Sequence, residues 1–525
     1  MVEYHAPRYA AADGVGVVIG DADPLREVQY DMWWRTVLAG PARNTSGALG
    51  NDFPGAYLYD PSGVEHLLFL DADVDWRSTT AGLRVRDGRW VLGFWSDRLA
   101  PGRLRVESRP ATPPSRWEGL TRLVSWCAPF LPPAPSTVPS FDEVARAAFA
   151  ESRDPSRALM TVDGLTGHRM YVAGSSEAWA DDEVDHLELL CQSDVALGLA
   201  AAHPNDPWLA HLLTLIGRFY SPRLRAFSNV VPLDRTDLAG GNVVVGRRPG
   251  RESTNVWYHL YTHARLAEIA HLLPGRAGWL DELRVATDHT LRLAAENRYL
   301  FPLLWWLDTG EPLSAAEEPA AGGAFAWLMV RAWDLWGDDR YLTAAGEALE
   351  VLHRRSPDAV YGAGVLLPRA AWAADALATR TGAPHWHRYR DDFTAASLRM
   401  LYWRGDLAGM FQACAAMCYP AMFENVANLL AFDDWLDDSP YPLRQILGLQ
   451  LHANTLFFED LPQGTGVPWE NLATPEYPFR GRVGREIYAV GEVLRLPHLR
   501  SRYASPPQAG LERRQTPLDP RKPAV

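Results

Sequence analysis

From about residue 115 to residue 455 the chain repeats one pattern: apolar residues recur with a 3.6-residue period, interrupted at alternately short and long intervals. Nothing else in the sequence restricts the fold as tightly. The period predicts helices over 115–131, 140–153, 181–202, 206–219, 253–272, 278–296, 320–336, 339–354, 366–381, 384–401, 419–436 and 439–455. These twelve helices pair. Within pairs the connections are short, as at His203-Pro204-Asn205, Gly337-Asp338, Gly382-Ala383 and Asp437-Asp438. Between pairs they are long: 154–180, 220–252, 297–319, 355–365 and 402–418, with a further long segment at 456–483. Only the first pair, joined through PPAPSTVP, departs from the short-connection rule.

The residues before this region follow a different rule. GVGVVIGD, AYLYD, HLLFLDADV, AGLRVRD, RWVLGFW and RLRVESR are short runs of Val, Leu and aromatics. Turn formers separate them, among them Asp87-Gly88, a strong hairpin signal. One segment, PLREVQYDMWWRTVLAG, reads as more helical. The expected organisation is a β-rich N-terminal domain over 1–112, a helical catalytic domain over 113–500 and a disordered Pro- and Arg-rich tail over 501–525.

Composition removes whole mechanisms. The only lysine is Lys522, in the tail, so the folded body can hold no Walker A lysine, no Schiff-base lysine and no Ser–Lys dyad. A net charge of −13 gives no electrostatic footprint for nucleic acid or an anionic membrane, and neither is an expected partner. Four cysteines are too few for a disulfide framework, and no run of about 18 apolar residues is present. The start carries no apolar signal segment, so a cytoplasmic location is expected.

The stretches WGDDRYLTAAGEALEVLHR and RTGAPHWHRYRDDFTAASLRMLYW resemble the outer-helix segments of the six-hairpin glycosidase superfamily. In these a short Gly-Asp type turn precedes a small-residue-rich helix. The resemblance spans about residues 115–495 and implies a mainly α fold, an (α/α)6 toroid of six helical hairpins, here preceded by the smaller β-rich domain. It implies fold more than chemistry, because one toroid hosts hydrolases, lyases, epimerases and isoprenoid enzymes. In such a ring the short turns share one face. The long connections rim a funnel on the other, floored by the N-terminal turns of each pair's first helix, where backbone N–H groups favour anionic or hydroxyl-rich ligands.

Four clusters fall on the funnel side by this rule. The first opens the helix after the 220–252 connection and holds Glu252, Asn255, Trp257, Tyr258, His259 and His263. Amide, phenol and imidazole together suit a uronate lyase, and the histidine pair at i, i+4 lacks the Glu of a metalloprotease helix. The second, WWLDTGEPLSAAEEP, joins Trp305 and Trp306 to Asp308, Glu311, Glu317 and Glu318; tryptophan faces bind sugar C–H surfaces beside a carboxylate. The third is the long loop with Glu459, Asp460, Trp469, Glu470, Asn471, Glu476, Tyr477 and Arg480, rich in aromatics and carboxylates as binding lids are. The fourth pairs Cys414 and Cys418 with Glu424; the zinc-cysteine type of toroid glycosidase needs three cysteines, so small buried hydrophobes are the expected role.

Two motifs carry less. Asp433-Asp434-Trp435-Leu436-Asp437 is a literal DDxxD, but it ends a helix at a short turn, on the face opposite the funnel. Asp71, Asp73 and Asp75 alternate as on a solvated strand face. The expectation is therefore a carbohydrate-active enzyme, most simply a glycoside hydrolase using two carboxylates drawn from Glu252, Glu317 and Glu470, with Tyr258 and His259 beside them. Asn255, Trp257, Trp305, Trp306, Asp308, Glu424, Trp469, Asn471, Glu476 and Arg480 are the expected substrate contacts. No metal or cofactor is expected, and the partner is an oligosaccharide or glycoside. The alternatives are a uronate lyase with a Tyr or His base, and an isoprenoid cyclase or dehydratase–isomerase acting on a prenyl compound in the same toroid.

Overall fold

The computed structural model describes residues 8–11, 14–21, 37–39, 53–60, 63–71, 80–96, 103–174, 184–234, 247–248, 251–313, 315–355, 357, 364–414, 417–458, 466–472 and 485–505. Among the described residues eight antiparallel strands come first: β1 (Arg8–Ala11), β2 (Gly14–Asp21), β3 (Val37–Ala39), β4 (Gly55–Tyr59), β5 (Val64–Asp71), β6 (Thr80–Arg86), β7 (Arg89–Trp95) and β8 (Arg103–Pro110). They form two sheets, ordered β1-β2-β7-β6 and β3-β4-β5-β8. Asp87 and Gly88 turn the β6–β7 hairpin with φ of 50° and 69°, the pair of positive angles that a tight hairpin with right-handed twist requires. Val17, Leu92 and Phe94 of one sheet pack on Leu58, Leu68 and Leu70 of the other. The alternate residues Tyr57, Leu67 and Phe69 point the other way, onto Leu120, Val124 and Cys127 of the first helix, α1 (Arg116–Cys127). Both faces of that sheet are buried, which explains its unbroken apolar runs. Of the segment read as helical, Val37–Ala39 is strand β3 and the preceding residues 22–36 lie outside the described residues.

The helices that follow are α2 (Asp142–Glu151), α3 (Leu189–Ala202), α4 (Pro207–Ile216), α5 (Val256–Leu272), α6 (Leu280–Glu296), α7 (Ala321–Trp336), α8 (Asp339–Arg354), α9 (Leu366–Thr381), α10 (His385–Leu398), α11 (Met422–Phe432), α12 (Leu443–Ala453), α13 (Tyr488–Val493) and α14 (Leu496–Ala504). Helices α3, α5, α7, α9, α11 and α13 each pack on the next, and α13 packs back on α3, closing a ring. The second helix of each hairpin lies outside its partner. Sequence patterning separates the two layers. The inner α7 is buried at every position from Ala321 to Val330, whereas the outer α8 buries Tyr341, Ala344, Ala345, Ala348, Leu349 and Leu352 on one stripe. The short turns are built for reversal: Gly337 and Gly382 end inner helices in the left-handed region, and Asp338 and Asp206 cap the outer helices that follow.

One assignment is corrected. The pair predicted over 115–131 and 140–153 is not a hairpin of the ring. Helix α1 packs between the β4–β5 sheet and the outer helix α10, and α2 packs against α13 and α14. The sixth hairpin is α13–α14, at residues where the period predicts no helix, and Ser501 to Ala504 belong to α14 rather than to a tail. Residues 506–525 lie outside the described residues. Ring closure depends on Gly198 of α3 meeting Gly491 of α13: a Cβ on Gly198 would stand 2.7 Å from the Gly491 Cα. Among the described residues no helix is long and apolar enough to cross a membrane.

Candidate functional site

The inner helices all start on the side of the long connections, and four of them bring acids and phenols to one place. Glu188 caps α3 from a two-residue strand that pairs with Val230–Val231. Tyr258 lies in the first turn of α5 and Glu424 in the first turn of α11. Glu486 precedes α13, bridged to Tyr171, and Tyr488 Oη donates to its carboxylate. Glu470 reaches the group from the 466–472 segment: its carbonyl accepts from Met422 N at 2.9 Å and its Oε1 from Phe423 N at 3.0 Å, while Oε2 has no partner among the described residues.

These side chains act on one another electrostatically. Burial, then the charges of Glu188, Glu486 and Glu424, push the Tyr258 phenol well up. Burial, then Glu486 and Glu424, push the Glu470 carboxyl well above the carboxylate range. Burial and Glu486 raise Glu424 to about 8. Burial first, and the neighbouring negative charges second, keep Glu424 and Glu470 protonated at neutral pH. Tyr258 and Glu424 are half-buried and keep part of their surface accessible. Beside them Trp257 stacks on Tyr258 with ring centroids 4.0 Å apart, and Cys191 is a buried free thiol.

The other predicted residues are held elsewhere. Glu252 spends its carboxylate on Ser228 Oγ (2.7 Å) and Asn229 N (3.1 Å), a structural role that keeps the 220–255 connection in place. Glu317 is on the surface, paired with Arg355 at 2.7 Å; its neighbour Glu318 is the buried one, and burial raises it to about 8. His259 bonds Thr290 at 3.0 Å, and His263 bonds the His259 carbonyl at 2.7 Å and accepts from Phe227 N. Burial holds both imidazoles below their usual range, so the pair is core.

Trp305 is fully buried against His259, while Trp306 lies under the Arg251 guanidinium, which Asp308 binds at 2.9 Å. These residues pack about the antiparallel pairing of short strands Arg251–Asn255 and Leu304–Trp306. Asn255 caps α5 through Trp257 N. Asn471 bridges Ala421, and Trp469 lies beneath Arg485 at 5.6 Å. Glu476, Arg480, Glu459, Asp460 and Tyr477 lie outside the described residues, as do the side chains of Cys414 and Cys418. Glu188, Glu486, Tyr171 and Tyr488 were not anticipated. The signal that selected Glu424, an acid at the start of an apolar helix after a long connection, also marks Glu188 and Glu486 once α13 is recognised as an inner helix.

No protein-family model and no curated protein matches the chain. Among solved structures it is similar to a family 76 glycoside hydrolase from a bovine Bacteroides thetaiotaomicron strain, at 11% identity and a TM-score of 0.44 over 83% of this chain and 96% of that one. It is similar to cellobiose 2-epimerase from Spirochaeta thermophila, at 14% identity and a TM-score of 0.46 over 69% and 96%. The cellobiose 2-epimerase from Bacillus thermoamylovorans gives 9% identity and a TM-score of 0.47 over 68% and 98%.

Proposed function

We propose that the protein is a carbohydrate-active enzyme, a glycoside hydrolase working on the floor formed by Glu424, Glu470, Glu486 and Tyr258. The observation that carries this is a pair of carboxyls, Glu424 and Glu470, held protonated by burial and then by the charge of Glu486 beside them, on a floor with aromatic rings. Environments that split the pKa values of neighbouring carboxyls supply an acid and a base together. Glu424, protonated at neutral pH and accessible, donates its proton to the leaving glycosidic oxygen. Glu486, held by the Tyr488 hydroxyl, is the carboxylate that activates water or attacks the anomeric carbon. Glu470 is a second buried acid, raised by burial and by the charges of Glu486 and Glu424, and anchored to the start of α11 through Phe423 N. Trp257 and Tyr258 offer the sugar a stacked aromatic surface.

A floor of acids disfavours a substrate that brings its own carboxylate, so neutral glycosides are the substrate class and the uronate lyase chemistry loses support. The test is a thermal-shift screen of neutral oligosaccharides, uronates and prenyl alcohols or diphosphates, followed by hydrolysis assays on the stabilising sugars. Stabilisation and turnover by a neutral glycoside, lost in Glu424→Gln and Glu486→Gln, is the expected result. Stabilisation by prenyl compounds alone overturns it and moves the chemistry to carbocation stabilisation by the same rings.

A further inference from the structure

The opposite end of the ring is not closed. A cavity of about 510 Å³ opens among the C-terminal ends of the inner helices, within the range of small-molecule sites. Three guanidiniums line it, from Arg331, Arg369 and Arg495. Bare helix C-termini present carbonyls and would repel an anion, so the arginines set the polarity of this end. Arg331 and Arg369 share Glu268 as counter-ion, at 3.3 Å and 4.0 Å, while Arg495 pairs with Glu492 at 3.5 Å; against the effect of burial, several arginines together hold the Glu268 carboxyl below the usual range.

Arg369 is the informative member. It is 3% exposed and its guanidinium lies 4.0 Å from the Trp327 ring centroid. Its Nε and Nη2 have no hydrogen-bond partner among the described residues, and Nη1 of Arg495, though paired with Glu492 at 3.5 Å, makes no hydrogen bond there. A buried guanidinium with unmade bonds is costly unless something completes it. The two remaining acids of the wall are already engaged. Asp433 is bound by Arg502 at 2.6 Å and His498 at 3.0 Å, and Asp434 accepts from Trp372 Nε1 at 3.0 Å. Apart from His271, the rest of the lining is apolar, with Leu197, Leu430 and the Trp372 ring.

We infer that this cavity is a second ligand site, for a small molecule with a carboxylate or phosphate group on an apolar body. The oxyanion completes Arg369 and Arg495, and the body packs on Trp372 and the leucines. A guanidinium fork matches both oxyanions, so geometry alone leaves carboxylate and phosphate as two sources of one chemistry. The site is independent of the proposed glycosidase floor and does not rest on it.

Isothermal titration of the full chain with benzoate, phenyl phosphate and inorganic phosphate, against benzyl alcohol as the neutral control, tests the inference. Binding of benzoate or phenyl phosphate with Kd below about 1 mM is expected, with the better of the two identifying the headgroup, and no heat from benzyl alcohol. Arg495→Gln, at the edge of the cavity, should weaken binding about tenfold or more without loss of fold, and Arg369→Gln should abolish it. Glu424→Gln, at the other end of the ring, should leave the affinity unchanged. Absence of binding by either anion, equal binding of the neutral control, or affinity that survives Arg495→Gln overturns the proposal.

Discussion

At the scale of single residues, the floor makes opposing demands on activity and stability. Glu424 is neutral at pH 7 because burial and Glu486 raise its carboxyl from 4.5 to about 8. As the proposed general acid it must be protonated, so kcat/KM should fall about tenfold per pH unit above about pH 8. Glu424→Gln should lower kcat by about 10²–10⁴-fold, with less loss on aryl glycosides whose leaving groups need no proton. Stability follows the same proton. Between pH 4.5 and about 8 the folded protein holds a proton that the unfolded chain has released, so stability declines as pH rises through that window, by up to about 1.4 kcal/mol per pH unit. The Gln variant carries no such proton. Its melting temperature should therefore equal or exceed that of the parent at pH 8 and lose part of the parent's pH slope. A variant less stable than the parent at pH 8, with catalysis intact, would remove Glu424 from the site.

At the scale of elements, connections matter as much as helices. Helix α2, outside the ring, ends in Glu151, whose Oε2 accepts from Gly466 N and Val467 N at 2.6 Å each and whose Oε1 pairs with Arg485 at 3.3 Å. That one buried carboxylate pins both flanks of the segment that delivers Glu470. Glu151→Ala breaks this buried ion pair, at a cost of about 3–5 kcal/mol, and should make the 459–484 connection the first site of limited proteolysis. A digestion pattern identical to the parent's would show that the loop is anchored elsewhere. These same elements mark how far the sequence could be read. Outer helices carry a stripe and announce themselves by period, as α8 does. Inner helices are apolar all round, and α13, six residues long and buried throughout, has no stripe to detect. Helices α1 and α2 do have stripes, facing the sheet and the outer layer, and so pass for a ring hairpin. The floor was half legible for the same reason. Glu424, Glu470 and Tyr258 follow recognisable long connections, whereas Glu188 and Glu486 become visible only when the ring's true first and last inner helices are known. Glu252 and Glu317 are carboxylates of the right type beside the right loops, and only their partners, Ser228 and Arg355, show them to be structural.

At the scale of the whole molecule, the ring stacks three layers along its axis: the acid floor, an ion network and the arginine cavity. Arg265 of α5 joins Asp194 of α3 and Glu492 of α13 at 2.9 Å, all of them no more than 1% exposed. Burial lowers the guanidinium to about 10, still far enough above neutrality for it to stay charged between two carboxylates. Helix α13 serves every layer: Glu486 and Tyr488 enter the floor, Glu492 the network, and Arg495, just past its end, the cavity. It also closes the ring where Gly491 lies against the Asp194 backbone, with room for no side chain, so Gly491→Ala should cost about 1–3 kcal/mol through overpacking. Removal of residues 485–525 is a harsher test of the same closure. The truncated chain would leave Asp194 and Arg265 without Glu492 and expose the apolar flanks of α3 and α11, which α13 covers. A closed ring distributes its core over all neighbours, so losing one inner helix opens two interfaces at once and should abolish cooperative melting rather than lower its midpoint by a few degrees. Calorimetry on the truncated and full-length chains decides it: a sharp two-state transition in the truncated chain would mean that the remaining five hairpins form a stable unit and that α13 is an addition to the ring rather than its closure.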